Sequence, residues 1–270
     1  MRRDGLLFEP GSQSHYSSAG YTLAARLCEL ASGRPFAALL DSLVFAPAGM
    51  KSAFDPVAGV PLPDHAKSCL NDWPGTRPAP PEDYTFLEGA GSVFATARDL
   101  YRFMVAAVDT VYGAGVRASL LRDGKIESYG LTNGYEAFAD YYAADDLYLV
   151  YTANIHTGAA ACLRRDLPRL SHGEKIPTPS RLHVKRVSLP EDAEQRYAGS
   201  WTSKQGEDFT ITVVDDLLAA GDWTLVPESE TTFFSPQDYA TVTFEMDGKR
   251  AVKIRWNSDR GEMIWTRVGR

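Results

Sequence analysis

Residues 8–33, FEPGSQSHYSSAGYTLAARLCELASG, decide how the chain is read. Phe8 to Ser18 mixes Pro, Gly, Ser and Gln without a period and reads as an irregular loop. From there Leu23, Leu27 and Leu30, with Ala24 and Ala31, recur at three- and four-residue spacing. That spacing predicts a helix with one apolar stripe on a face. Gly33 stands where a left-handed C-terminal cap favours a residue without a Cβ. Tyr16, Ser17 and Ser18 place a phenol and two hydroxyls on the loop, against a rigid element, where sites are often built.

Working outward, a second helix is expected from Pro35, whose fixed φ suits a first helical position, with Pro47 and Gly49 ending it. Residues 55–88 are rich in Pro, Gly and Asp and read as one long irregular loop. Its Trp73, Tyr84 and Phe86 either line a pocket or pin the loop to the core. Thr96 followed by Asp99 predicts a capped helix start, with Leu100, Phe103, Met104, Ala107 and Val108 as its buried stripe. The period then changes, and Lys125 to Tyr129, Gly134 to Tyr142 and Leu147 to Asn154 read as strands, with Asp145-Asp146 at a hairpin turn. Gly158 to Leu170 reads as a helix packing back on that sheet.

Pro168, Pro177, Pro179 and Pro190 then punctuate a polar, basic stretch, and residues 173–190 are read as a linker. Beyond it the chain alternates with period two through Phe209, Ile211 and Val213, then Val242, Phe244 and Met246, then Val252, Ile254 and Trp256. Asp247-Gly248 joins the last two sets as a hairpin, and Met263 and Trp265 close the series. Residues 191–270 are thus expected to form a small antiparallel barrel or meander. The fold class predicted is α+β, with helices packed on an antiparallel sheet over residues 1–172.

An apolar fraction of 44% and a charged fraction of 23% place the chain among ordinary globular proteins. A net charge of −7 argues against a nucleic-acid or anionic-membrane partner. No run of residues approaches a membrane span, and MRRDGLLFEPG has no signal-peptide core, so the compartment stays open. Cys28, Cys69 and Cys162 are too scattered for a disulfide framework or a zinc site, and nothing in the sequence calls for a cofactor or a metal.

Three blocks carry a resemblance. PGSQSHYSSAGYTLAARLCELASGRPF (Pro10 to Phe36) is followed by FAPAGM (Phe45 to Met50), then by GAGSVFATARDLYRFM (Gly89 to Met104), then by LTNGYEAF (Leu131 to Phe138). In this order they resemble the serine β-lactamase-related hydrolases, which include class C β-lactamases, penicillin-binding DD-peptidases and esterases. The resemblance implies acyl transfer on a small ester or amide through a covalent acyl-enzyme. It implies Tyr16 as proton relay, the backbone N–H of Gly134 as half of an oxyanion hole, and Ser18, Thr132 and Asn133 as substrate-binding residues. For Tyr16 a hydroxyl that merely bridges loop and helix is the alternative. The C-terminal part resembles the lipocalin-like modules of some family members, with oligomerisation, a wall over the site or plain stabilisation as its role.

The departures are as informative. Chemistry of this kind needs a Ser nucleophile and a Lys one helical turn later. The residues three before each Lys are Ala48, Asp64, Arg122, His172, Leu182, Trp201, Met246 and Arg250, so no Ser-x-x-Lys occurs. Ser18 stands where the family has Asn, and Leu131 where it has Lys or His. The family's nucleophile precedes its Tyr by far more than the fifteen residues ahead of Tyr16. The chain is therefore expected to be an N-terminally truncated member, inactive alone. The competing reading is a non-catalytic binding or oligomerisation protein using loop 55–88 and the β module.

Other chemistry lacks support. The five histidines show no i, i+4 pair for a zinc helix, and there is no G-x-S-x-G elbow. His15 is either a partner of Tyr16 or an exposed loop residue; Asp140, Asp145 and Asp146 are either a cation site or, more commonly, turn acids.

Overall fold

Helices α1 (Ser18–Ser32), α2 (Phe36–Leu40), α3 (Ala46–Ala48), α4 (Ala97–Val108) and α5 (Ala114–Leu120) come first, with the hairpin β1 (Cys69–Asp72) and β2 (Gly75–Pro78) among them. Strands β3 (Lys125–Thr132), β4 (Tyr135–Tyr142) and β5 (Leu147–Ala153) follow, then α6 (Ala159–Ser171) and α7 (Ala193–Tyr197). Eight strands end the chain: β6 (Gly199–Ser203), β7 (Asp208–Val214), β8 (Leu217–Ala220), β9 (Trp223–Pro227), β10 (Thr232–Ser235), β11 (Ala240–Asp247), β12 (Arg250–Ser258) and β13 (Gly261–Arg267). The computed structural model describes residues 5–72, 75–176, 184–204, 206–221, 223–258 and 261–269. Trp73, Pro177, Pro179 and His183 lie outside the described residues. The contacts divide the chain into two units, residues 1–65 with 81–123, and residues 66–80 with 124–270.

The first unit is helical. Ser17 caps α1, its hydroxyl accepting from Gly20 N at 3.1 Å, and Gly33 at φ 68° closes it with its N–H on Glu29 O. The leucine stripe does not face the core: Leu23, Leu27 and Leu30 are 49, 56 and 66% exposed, while Ala25 is buried. The reason is a close backbone approach. Gly89, at φ 74°, lies so near α1 that a Cβ there would stand 2.6 Å from Ala25 Cβ and 2.9 Å from Tyr21 O. Only a face of small residues admits that contact.

Pro35 is the N-cap of α2, a π-helical turn (Asp41–Phe45) links α2 to α3, Pro47 falls inside α3, and Gly49 at φ 68° ends it. Of residues 55–88, only part is irregular. They hold β1, β2 and a 3-10 turn (Tyr84–Leu87), because the hairpin finds partners far away in sequence. Tyr84 pins the segment, 6% exposed and edge-on to Phe94 with centroids 5.3 Å apart; Phe86 is 59% exposed.

Thr96 caps α4 as its pattern predicts, accepting from Asp99 N. Asp99, 1% exposed, accepts in turn from Lys51 N, Ser52 N, Thr96 Oγ1 and Arg102 at 3.0–3.2 Å. One carboxylate thus ties the α3–β1 connection to the start of α4. Asp55 is the opposite case. It is buried with Ser92, whose hydroxyl donates to it, and its Oδ2 finds no donor. Burial pushes its pKa up, only partly offset by the Ser92 bond.

In the second unit, β3, β4 and β5 form one antiparallel sheet in the order β3-β4-β5. The last eight strands close into an antiparallel barrel, each paired with its sequence neighbours and β13 with β6. Alternation fills its interior with Trp201, Ile211, Leu218, Leu225, Phe233, Phe244, Ile254, Trp256 and Trp265, all buried. Tyr197 of α7, fully buried, meets Phe233 and Phe244 at 5.4 and 5.1 Å between centroids. The lumen is a packed core.

Pro168 lies inside α6, within the helix read over Gly158 to Leu170; the helix ends three residues later, where His172 N–H bonds Pro168 O. Residues 184–190 run against the barrel, with Val187 N on Pro227 O and Leu189 N on Asp216 Oδ1.

Asp99→Ala should lower unfolding stability by about 3 kcal/mol in urea titration, since four donors lose a buried acceptor. Asp55 has a folded pKa above its unfolded one, so its contribution is intact at low pH and is lost as pH rises through the folded value. Asp55→Asn should therefore be more stable than the parent at neutral pH by roughly 1 kcal/mol. That gap should close on acidification, read from melting curves at several pH values.

Candidate active site

The β3–β4 hairpin turns in two residues. Thr132 pairs with Tyr135, and between them Asn133 and Gly134 take φ 33° and 84°, the double left-handed turn that Asn-Gly favours. Gly134 is buried against β1: a Cβ on it would stand 2.5 Å from Cys69 O and 3.2 Å from Ser68 Cβ. No side chain fits there. The neighbouring residues are tied to the chain on either side of that hairpin, Asn133 Nδ2 donating to Pro80 O at 2.9 Å and the Tyr135 hydroxyl to Ala66 O at 2.7 Å. From the end of β5, Asn154 Nδ2 donates to Lys67 O and Cys69 N to Asn154 O, both at 2.7 Å. Thr132, Asn133 and Gly134 are thus brought together in one turn whose backbone is held from outside.

Tyr16 and Ser18 form a second group, on the helical unit. The Tyr16 ring is 71% exposed and tilted against Tyr21 at 5.8 Å. Ser18 is the first residue of α1 rather than the last of a loop, because Ser17 takes the cap. His15 is exposed, and Leu131 is 51% exposed on β3.

The face of β4 beneath α6 carries two buried acids. Glu136 is 3% exposed and accepts from the Tyr129 hydroxyl at 2.9 Å, Thr157 N at 3.1 Å and His156 Nδ1 at 3.3 Å. Burial pushes its pKa up, but those donors together outweigh it and hold the carboxyl below its usual range. Asp140, fully buried, takes a forked bond from Arg164, Nε at 2.6 Å and NH2 at 2.7 Å, with Ser128 N at 3.2 Å. It is therefore an ion-paired strand residue, not a turn acid. Asp145 and Asp146 do sit in the β4–β5 turn, Asp145 beside His172 at 3.1 Å. Among the described residues no group of three His, Cys, Asp or Glu is placed to hold a metal ion.

The spacing of Glu136 and Asp140 in YEAFADYY carried a readable signal. Period two puts both with Phe138 on one face, and two acids beside a buried Phe require donors. Asn-Gly between two strands was the other readable signal.

A model of the Beta-lactamase family matches residues 1–164. The chain belongs to that family. Over 95 residues this β-lactamase-family chain is 32% identical to the D-alanyl-D-alanine-carboxypeptidase/endopeptidase AmpH of Escherichia coli, a match covering 35% of the chain and 23% of AmpH. The chain thus spans under a quarter of that curated relative. Among solved structures, the octameric penicillin-binding protein homologue from Pyrococcus abyssi is similar at TM-score 0.50 and 15% identity, covering 96% of this chain and 66% of that one. The D-amino acid amidase from Ochrobactrum anthropi, solved with L-phenylalanine amide, is similar at TM-score 0.52 and 18% identity, covering 64% of this chain and 62% of that one. These two likenesses speak to fold alone. No helix among the described residues is long and apolar enough to cross a membrane.

Glu136 has a folded pKa below its unfolded one, so its stabilisation is in place above the unfolded value and is lost as pH falls through the folded one. Glu136→Gln should cost about 2 kcal/mol at neutral pH. The difference from the parent should shrink below about pH 4 in chemical denaturation, where the unfolded-state carboxyl takes up its proton.

Proposed function

We propose that this chain is the tyrosine- and oxyanion-bearing portion of a β-lactamase-family serine hydrolase that acts on an ester or amide through an acyl-enzyme. In this reading Tyr16 relays the proton and the Gly134 N–H forms half of the oxyanion hole. Ser18, Thr132 and Asn133 contact substrate. The observation that carries it is the joint occurrence of the family match over residues 1–164 with an Asn-Gly turn fixed by three contacts to residues 66–80. The attacking Ser is not among the 270 residues, since no Lys follows a Ser at the third position. Three leucines of α1 exposed on one side support the same reading, because an amphipathic stripe is written for a surface that covers it.

AmpH and the amidase act, by their names, on D-alanyl bonds and on amino acid amides. With Leu131 in place of a cation, recognition of a substrate carboxylate is weakened, which favours neutral esters and small amides here. The division we favour is a β-lactamase-like part over residues 1–172, a connecting segment at 173–190 and the barrel module at 191–270. Assembly through the barrel is part of the reading: Trp223, Val252 and Met263 are about 40% exposed on it, and one structural neighbour is octameric.

Incubating the 270-residue protein with a fluorophosphonate probe and with p-nitrophenyl acetate is the test. No adduct and no turnover above buffer are expected. Labelling at a single Ser would overturn the assignment of the nucleophile to another segment. Reading the coding sequence upstream of Met1 tests where the nucleophile lies, with an in-frame Ser-x-x-Lys as the expected result and its absence as the contrary one.

A further inference from the structure

We propose that the C-terminal barrel serves as the brace of the Asn133–Gly134 turn, with Gln237 as its positioning residue. The inference rests on that turn being part of the acyl-transfer site. It gives the barrel a task that its filled lumen leaves open.

The connection between β10 and β11 leaves the barrel and meets two other elements of the same unit. Gln237 is 9% exposed and uses both ends of its amide. Its Oε1 accepts from Thr224 N at 3.2 Å, while Nε2 donates to Asn71 O at 3.1 Å and Thr224 Oγ1 at 3.3 Å. One side chain therefore bonds a barrel strand and β1 at once. Its own carbonyl accepts from Gly158 N at 2.6 Å, and Pro236 O accepts from Thr157 Oγ1 at 3.4 Å. Gly158 packs so closely that a Cβ would stand 2.3 Å from Asp238 C. From inside the barrel, Trp256 Nε1 holds Asp238 Oδ2 at 2.7 Å.

Asn71 is two residues along β1 from Cys69, the carbonyl on which Gly134 rests. A continuous line of contacts thus runs from Trp256 through Asp238 and Gln237 to Asn71, Cys69 and Gly134. A two-stranded hairpin of four residues a side is marginal by itself, so β1 needs an outside support to be a firm seat. A buried amide needs partners at both ends, and Gln237 finds them on two different elements, which ties β1 to the barrel.

The test is site-resolved amide exchange and 15N spectra on the whole chain, parent against Gln237→Ala. Exchange at Cys69, whose N–H bonds Asn154 O, should rise about tenfold, and the Asn133 and Gly134 resonances should shift. Amides of Phe244 and Ile254 in the barrel core should keep their protection. Gln237→Glu keeps an acceptor for Thr224 N but loses the donor to Asn71 O, so it should reproduce the change at Cys69 and Gly134. Unaltered Cys69 and Gly134 signals in either variant overturn the proposal. So does a uniform rise across the barrel, or failure of both variants to fold, which would make Gln237 a general folding residue. No substrate enters the measurement, so its outcome is independent of whether the hydrolase reading holds.

Discussion

The second unit depends on one contact between backbones, Gly134 lying on the carbonyl of Cys69. A Cβ would come within 2.5 Å of that oxygen, and φ of 84° is itself a conformation that side chains resist. Two independent reasons thus require glycine at one position. The contact seats residues 66–80 on the end of the three-stranded sheet. Asn133, Tyr135 and Asn154 then each reach a carbonyl of that segment, at 2.7 to 2.9 Å. The hairpin is short, and these bonds support it from its flanks.

The barrel bonds the same hairpin through Gln237, whose amide reaches Asn71 O. Its interior holds Trp201, Trp256, Trp265, Phe233 and Phe244 in edge-on contacts, a core of packed side chains. A packed core fixes the strands whose connecting loop bonds two other elements. In the helical unit Asp99 does comparable work with a single carboxylate, whereas Asp55 is buried with one oxygen unpaired and lowers stability as it ionises.

Much of this was legible in the residues. Strict alternation around Ile211, Phe244 and Ile254 announced the barrel, and Thr96 with Asp99 announced α4, because both signals are local. The leucines of α1 announced the helix, but periodicity shows only that a helix has an apolar face, not which face the neighbouring backbone will approach. The strands at 69–78 were hidden because their partners, Asn154 and Gln237, are distant in sequence. Asp140 reads as a turn acid until Arg164 is found beside it. Of the candidate site, Thr132, Asn133 and Gly134 are found in one turn, and what the sequence did not reveal is why the turn stays put.

The central claim is that this turn and the barrel form one energetic unit through β1. A double-mutant cycle between Gly134→Ala and Gln237→Ala, measured by equilibrium urea unfolding, tests it directly. Sites without a shared partner add to within about 0.5 kcal/mol. The account predicts a coupling of at least about 1 kcal/mol, because lifting the turn from Cys69 already removes what Gln237 holds in place. Additive losses would contradict it.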